Sequence, residues 1–164
     1  MTKYNNPLSD AVNCRAPELM AARAYLRRPR LAALALEEKR GRVIALEELT
    51  ETMRSVWKGS HPLRVGVQLA ETLRSLTALR EALVREAAGY AALLRETEGL
   101  FKSCLPDERH RAVMEAHYLG FATWEQAAET IGYCPRHIKR LHKEALCRVA
   151  ERLRDTLARG AEAL

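Results

Sequence analysis

Apolar residues recur at helical spacing along most of this chain, with polar residues between them. From about residue 30 to 57, Leu36, Val43, Thr50 and Trp57 fall every seven residues, and Leu46 and Met53 fill the intermediate positions. This is a heptad seam, weakened by Lys39 and Gly41. Pro29 predicts a kink or short break before residue 30. The run Lys58-Gly59-Ser60-His61-Pro62 predicts a turn. A second long helix is expected over 63–105, where Leu69, Leu76, Leu83, Tyr90, Thr97 and Cys104 are again spaced by seven. Leu79, Leu93 and Leu100 follow three of these at a distance of three residues. Leu73, Ala87, Leu94 and Phe101 widen the stripe beyond a strict two-stranded seam. Two such helices joined by a short linker form an antiparallel hairpin, and the width of the stripe favours self-association. Gly89 and Gly99 interrupt good helix formers.

The last third has a shorter rhythm. Leu105-Pro106-Asp107-Glu108 is a helix start, with Pro in the first turn and two acids beside the positive helix end. Val113, Met114 and His117 continue it, and Leu119-Gly120-Phe121 ends it. Thr123 caps the next helix and Gln126 completes a capping box. Ala127, Ala128 and Ile131 repeat on one face of that helix. Ile138, Leu141 and Ala145 repeat on one face of the following one. Gly132 stands between them, where a helix stops and positive φ is needed. Ala128 is small where the two helices cross. Helices are therefore expected at 106–119, 123–131 and 134–157, the last two forming a helix-turn-helix.

Composition agrees with an all-helical chain. Only 8 Gly and 6 Pro occur in 164 residues, and Ala, Leu, Glu and Arg dominate. Net charge is +6, but its placement is more informative. Residues 41–106 are nearly neutral, with 9 basic and 8 acidic side chains. Residues 135–148 carry Arg136, Lys139, Arg140, Lys143 and Arg148 against Glu144 alone. A second cluster comprises Arg23, Arg27, Arg28 and Arg30. Localised positive charge fits a polyanion partner. The four Cys, at 14, 104, 134 and 147, include no CxxC pair, and three fall within apolar helical patterns. Reduced, partly buried thiols and a reducing cytoplasm are expected. Residues 1–20 lack the apolar stretch of a signal peptide, and no run reaches transmembrane length.

Arg136, Lys139, Arg140 and Lys143 fall at i, i+3, i+4 and i+7, on one helix face opposite Ile138, Leu141 and Ala145. His137 lies at its flank. Arg136 and Arg140 suit bidentate donation to guanine O6 and N7, and Lys139 and Lys143 suit bases or phosphates. The bland alternative is a solvated basic face on a protein-binding helix. Thr123 and Trp124 open the supporting helix, whose free amides suit a phosphate; Trp124 packing in the core is an equal alternative. The cluster at 23–30 reads as a contact to DNA phosphates or to an acidic partner, or by default as a plain exposed helix end. Cys134, His137, His142 and Cys147 point in different directions around one helix, so no metal site is expected. No Gly-rich phosphate loop, HExxH or nucleophile elbow is present. No enzymatic activity and no cofactor are expected.

The stretch LPDERHRAVMEAHYLGFATWEQAAETIGYCPRHIKRLHKEALCRV resembles region 4 of sigma-70-type factors. Leu105-Pro106, the charged turn Asp107-Glu108-Arg109, the apolar helix Val113 to Tyr118, Gly120 and Thr123 fill that family's positions. Preceded by a helical hairpin, the pattern resembles small phage and prophage transcriptional regulators of the ArpU and RinA type. Tyr25-Leu26-Arg27-Arg28 ahead of a Leu/Glu-rich heptad helix is similar to their N-terminal half. Two positions depart from region 4. Pro135-Arg136 replaces the Arg-Glu pair of the first recognition turn, so the usual −35 target is not implied. Cys134 replaces a Ser or Thr cap.

The expected architecture is all-α. It comprises an irregular stretch 1–15, a coiled-coil-like hairpin and oligomerisation region 16–104, and a region-4-like DNA-binding domain 105–158. The resemblance implies a cytoplasmic, oligomeric late-gene activator that binds double-stranded DNA and contacts RNA polymerase, with no membrane partner. Two alternatives remain: a DNA-packaging recognition subunit of the small-terminase kind, and a coiled-coil adaptor whose basic helix binds protein.

Overall fold

The structure, a computed structural model, describes residues 15–59 and 63–162. The irregular stretch expected at 1–15, Cys14, and Ser60-His61-Pro62 of the expected turn lie wholly or almost wholly outside the described residues. Among the described residues every regular element is helical. They are α1 (Ala16–Gly59), α2 (Leu63–Cys104), α3 (Glu108–Met114) with a π-helical turn (Glu115–Leu119) running on from it, α4 (Trp124–Ile131) and α5 (Pro135–Glu162). No helix among them is long and apolar enough to cross a membrane.

Of the kink or short break expected at Pro29, the break is absent: α1 stays helical from Ala16 to Gly59 with Pro29 inside. Proline has no N–H for the carbonyl four residues earlier, which here belongs to Tyr25. The Arg28 side chain supplies the missing donor, its Nε donating to the Tyr25 carbonyl at 3.2 Å. The same guanidinium lies 3.7 Å from the Tyr25 ring centroid and 2.9 Å from Glu96. Tyr25 also donates its hydroxyl to Glu96. These two donors hold the Glu96 carboxyl below its usual range.

The chain divides into two compact units, Pro29–Leu93 and the residues on either side of it up to Arg28 and from Leu94. In the first, α1 and α2 run antiparallel. Lys39 pairs with Glu86, Glu47 with Arg80, and the Thr72 hydroxyl lies 3.7 Å from Met53 Sδ. The seam buries Val43, Thr50 and Leu76 and half-buries Leu36, Leu46, Leu69, Leu73 and Leu83. Ala87, expected to widen the stripe, is exposed. The Trp57 ring leans over Gly66, where a Cβ would collide with it. Exposed ion pairs contribute little, so the apolar seam supplies most of the cohesion.

Gly41, Gly89 and Gly99 are helical, and a Cβ at each would meet nothing within 4 Å. Gly89→Ala and Gly99→Ala are each expected to raise stability by about 0.5–1 kcal/mol, because alanine restricts the unfolded chain without a clash. Urea midpoints check this; a fall in either variant contradicts it.

The second unit is built around Phe101 and Leu105. Phe101, Leu105, Met114, Tyr118, Ala145, Leu146, Val149 and Ala150 form one buried cluster with Ala22 and Leu26 of α1. A cut at 104/105 passes through this core.

Candidate nucleic-acid interface

Helix α3 is capped by Asp107, whose carboxylate accepts from the Arg109 amide at 2.9 Å. Pro106 therefore precedes the cap, two positions before the first helical residue, and not in the first turn as expected. The Arg109 guanidinium beside it holds the Asp107 carboxyl at about 2. After Met114 the backbone widens by one residue per turn, with the Gly120 amide donating to the Glu115 carbonyl at 2.9 Å. Phe121 then takes φ 55°, an uncommon value for a bulky residue. This bend delivers the chain to α4.

Thr123 caps α4 with a full capping box. Its hydroxyl accepts from the Gln126 amide at 3.2 Å, and Gln126 Oε1 accepts from the Thr123 amide at 2.9 Å. Gly132 closes α4 at φ 80°, its amide donating to the Ala128 carbonyl. Residues 132–134 turn the chain into α5. Ala127 and Ala128 pack on Ile138, Leu141 and Val113 in a second buried cluster, with Trp124 and Ile131 at its edge. Docking Ile138 and Leu141 inward leaves the opposite face of α5 in solvent.

On that face Arg136, Lys139, Arg140 and Lys143 are all exposed. Among the described residues, Arg136, Lys139 and Lys143 have no ion-pair partner. Arg140 is tethered: its Nη2 donates to His137 Nδ1 at 3.2 Å, and its Nε lies 3.8 Å from Glu144. Glu144 in turn meets His110 Nε2 at 3.0 Å, and His110 Nδ1 is 3.4 Å from Asp107. A chain of polar side chains thus runs from the α3 cap to Arg140. The sequence signalled only its last link, the i,i+4 pair Arg140–Glu144. His137 is half-buried, with its ring centroid 4.7 Å from that of Tyr133.

The Trp124 ring packs against two histidines. Its ring stacks on His117 at 3.9 Å and meets His142 edge-on at 4.7 Å. His117 Nδ1 donates to the Ala122 carbonyl at 2.9 Å. His142 is buried against Tyr118, with Nε2 3.0 Å from the hydroxyl. Desolvation, helped by His117 and Arg23, lowers the His142 pKa to about 4, so this imidazole is neutral at pH 7. Of the cysteines, Cys147 is buried and Cys104 half-buried, and burial raises the Cys104 thiol pKa. Cys134 is exposed at the start of α5, which corrects the expectation of partial burial. Among the described residues no three His, Cys, Asp or Glu side chains converge on a metal-sized site.

Compared with protein-family models, curated proteins and solved structures, the chain matches none.

The arrangement therefore stands on its own chemistry. A basic helix face is held outward by an apolar back, with Arg140 bonded to half-buried His137 and close to Glu144, which in turn meets buried His110.

Proposed function

We propose that this protein is a non-enzymatic, sequence-specific DNA-binding regulator that reads duplex DNA through the first three turns of α5. The observation that carries the reading is the exposed face Arg136, Lys139, Arg140 and Lys143, opposite the buried Ile138 and Leu141. An α-helix presented this way fits the major groove, where arginine distinguishes guanine by paired donors to O6 and N7. The α4–turn–α5 frame acts as a helix-turn-helix, with α3 bracing it. Thr123 opens α4 towards the backbone, while the Trp124 ring serves the frame. Contact with RNA polymerase, a phage or prophage late-gene role and a cytoplasmic setting rest on the region-4 resemblance.

Self-association belongs to the same reading. Leu31, Leu34, Ile44, Leu49, Val56, Trp57, Val67 and Val84 are all exposed within Pro29–Leu93. A two-helix unit with so much uncovered apolar surface is suited to pairing with a second copy. Two copies bring two half-sites and the avidity of linked binding. Light scattering on the purified chain is expected to give a dimer or larger species; a monomer at every concentration overturns this part.

The test of binding is footprinting on DNA from the protein's own locus, against nonspecific competitor at several salt concentrations. A discrete protected site supports the reading. Uniform, steeply salt-sensitive binding points to packaging-type contact, and no binding to a protein-binding role. Arg140→Ala is expected to weaken binding to the protected site by about 1–3 kcal/mol. Unchanged affinity in that variant removes Arg140 from the interface.

A further inference from the structure

The arginines near the start of α1 are far from α5 in sequence and beside it in the fold. Arg23 and Arg27 are exposed, one turn apart, and each follows a residue buried in the core, Ala22 and Leu26. Those two pack with Tyr118, Ala145, Leu146 and Val149. The direction of α1 is fixed by Glu18, whose carboxylate is 3.7 Å from Arg154, and by Ala21 and Ala22, which share a cleft with Ala150 and Leu153. Going up α1 from Glu18 to Leu26 therefore means going back along α5 towards its basic turns.

Arg23 and Arg27 emerge close enough to the bundle to act on its buried groups. Arg23 acts electrostatically on both His142 and Tyr118, and Arg27 on Tyr118. The His142 ring touches that of Trp124 at the start of α4, and on α5 His142 stands between Lys139 and Lys143. Arg28, the next member of the cluster, is taken up by Glu96 and the Tyr25 carbonyl. Among the described residues, Arg23 and Arg27 have no such acidic partner.

We propose that Arg23 and Arg27 extend the basic face of α5 into one continuous surface and grip the phosphate backbone beside the bases that α5 reads. The inference rests on the DNA-binding reading above. Their role is sequence-independent. Both arginines project from α1 rather than from the outward face of α5, and phosphates are the groups a duplex offers on either side of an occupied groove. About 6 Å of helix rise separates them, so they meet neighbouring parts of a backbone rather than one point. A lone pair of exposed arginines would be ordinary; a pair held by the core against the recognition bundle adds charge where a duplex must pass.

The test uses the full chain and two fluorescent duplexes, one mixed-sequence and one carrying the footprinted site. Affinity is measured across a salt series for wild type, for Arg23→Ala/Arg27→Ala, and for Arg23→Lys/Arg27→Lys. The alanine pair should lower the magnitude of the log affinity–log salt slope by about two, since each neutralised phosphate contributes about 0.9. The loss should be the same on both duplexes, and the lysine pair should restore it. A wild-type slope in the alanine pair, or a loss confined to the footprinted duplex, overturns the inference and leaves the DNA-binding reading standing. Failure of the wild type to bind either duplex at low salt overturns both. The substituted side chains are exposed, and an unchanged thermal transition confirms that the bundle is intact.

Discussion

Truncating Phe101 to alanine is expected to destabilise the unit that carries the basic helix by about 3–5 kcal/mol. The ring is completely buried, and the cluster it belongs to draws on α1 (Ala22, Leu26), α3 (Met114), the π turn (Tyr118) and α5 (Ala145, Leu146, Val149). Removing it deletes the transfer free energy of a large side chain and leaves a void that three separate backbone segments must close together. Partial collapse is harder there than at a site lined by one flexible loop. Val84→Ala is the control, because Val84 is 69% exposed and its loss should stay within about 0.5 kcal/mol. Urea unfolding followed by far-ultraviolet circular dichroism measures both. Equal midpoints for the two variants would show that Phe101 is not the centre of this core.

The second large effect is a loss of stability in mild acid. His142 is buried and its folded pKa is lowered to about 4 by desolvation first, then by His117 and Arg23. In the unfolded chain the imidazole titrates near its model value of 6.5. Above that pH both states carry neutral histidine and the folded state keeps its full stability. As pH falls from about 6.5 to 4, the unfolded chain takes up a proton that the folded one refuses. The unfolded state is favoured progressively, by about 3 kcal/mol at the lower end. His142→Gln keeps a hydrogen-bond partner for Tyr118 and removes the titration, so its unfolding free energy should be flatter across this window. Identical pH profiles for the two proteins would show that His142 is not held neutral. Asp107 acts lower still. Its carboxyl is depressed to about 2, so its contribution is present above pH 3.8 and fades as pH falls through 2. The two losses are separable along one titration.

What the sequence made legible was mostly local. The capping box at Thr123 and Gln126, the left-handed Gly132 and the inward face Ile138–Leu141 each depend on residues a few positions apart, and the structure has all three. The all-α class followed from composition and spacing. What escaped depended on partners distant in sequence or on unusual backbone. Pro29 stays within a helix because the neighbouring Arg28 side chain replaces the missing amide, which no propensity encodes. Trp124 was balanced between phosphate and core until the His117 stack placed its ring. The tether of Arg140 runs back through Glu144 and His110 across 34 residues. The proximity of Arg23 and Arg27 to α5 requires a helix pairing that heptad spacing cannot specify. Ala87 failed in the opposite sense, since periodicity put it on the stripe and packing left it in solvent.

The π turn at Glu115–Leu119 can be regarded as an α-helix holding one surplus residue. This gives the segment an asymmetric tolerance. Exchanging side chains at its half-buried positions leaves the backbone count intact. Removing one residue would restore a regular hydrogen-bond ladder and favour the helix locally. It would also rotate every later side chain by about 100° relative to the core. Tyr118 would leave His142, His117 would leave Trp124, and α4 would begin on the wrong side of the bundle. Chain length between Met114 and Thr123 is therefore held more tightly than residue identity. Variants of this protein that keep a working basic face should differ there by substitution and not by insertion or deletion.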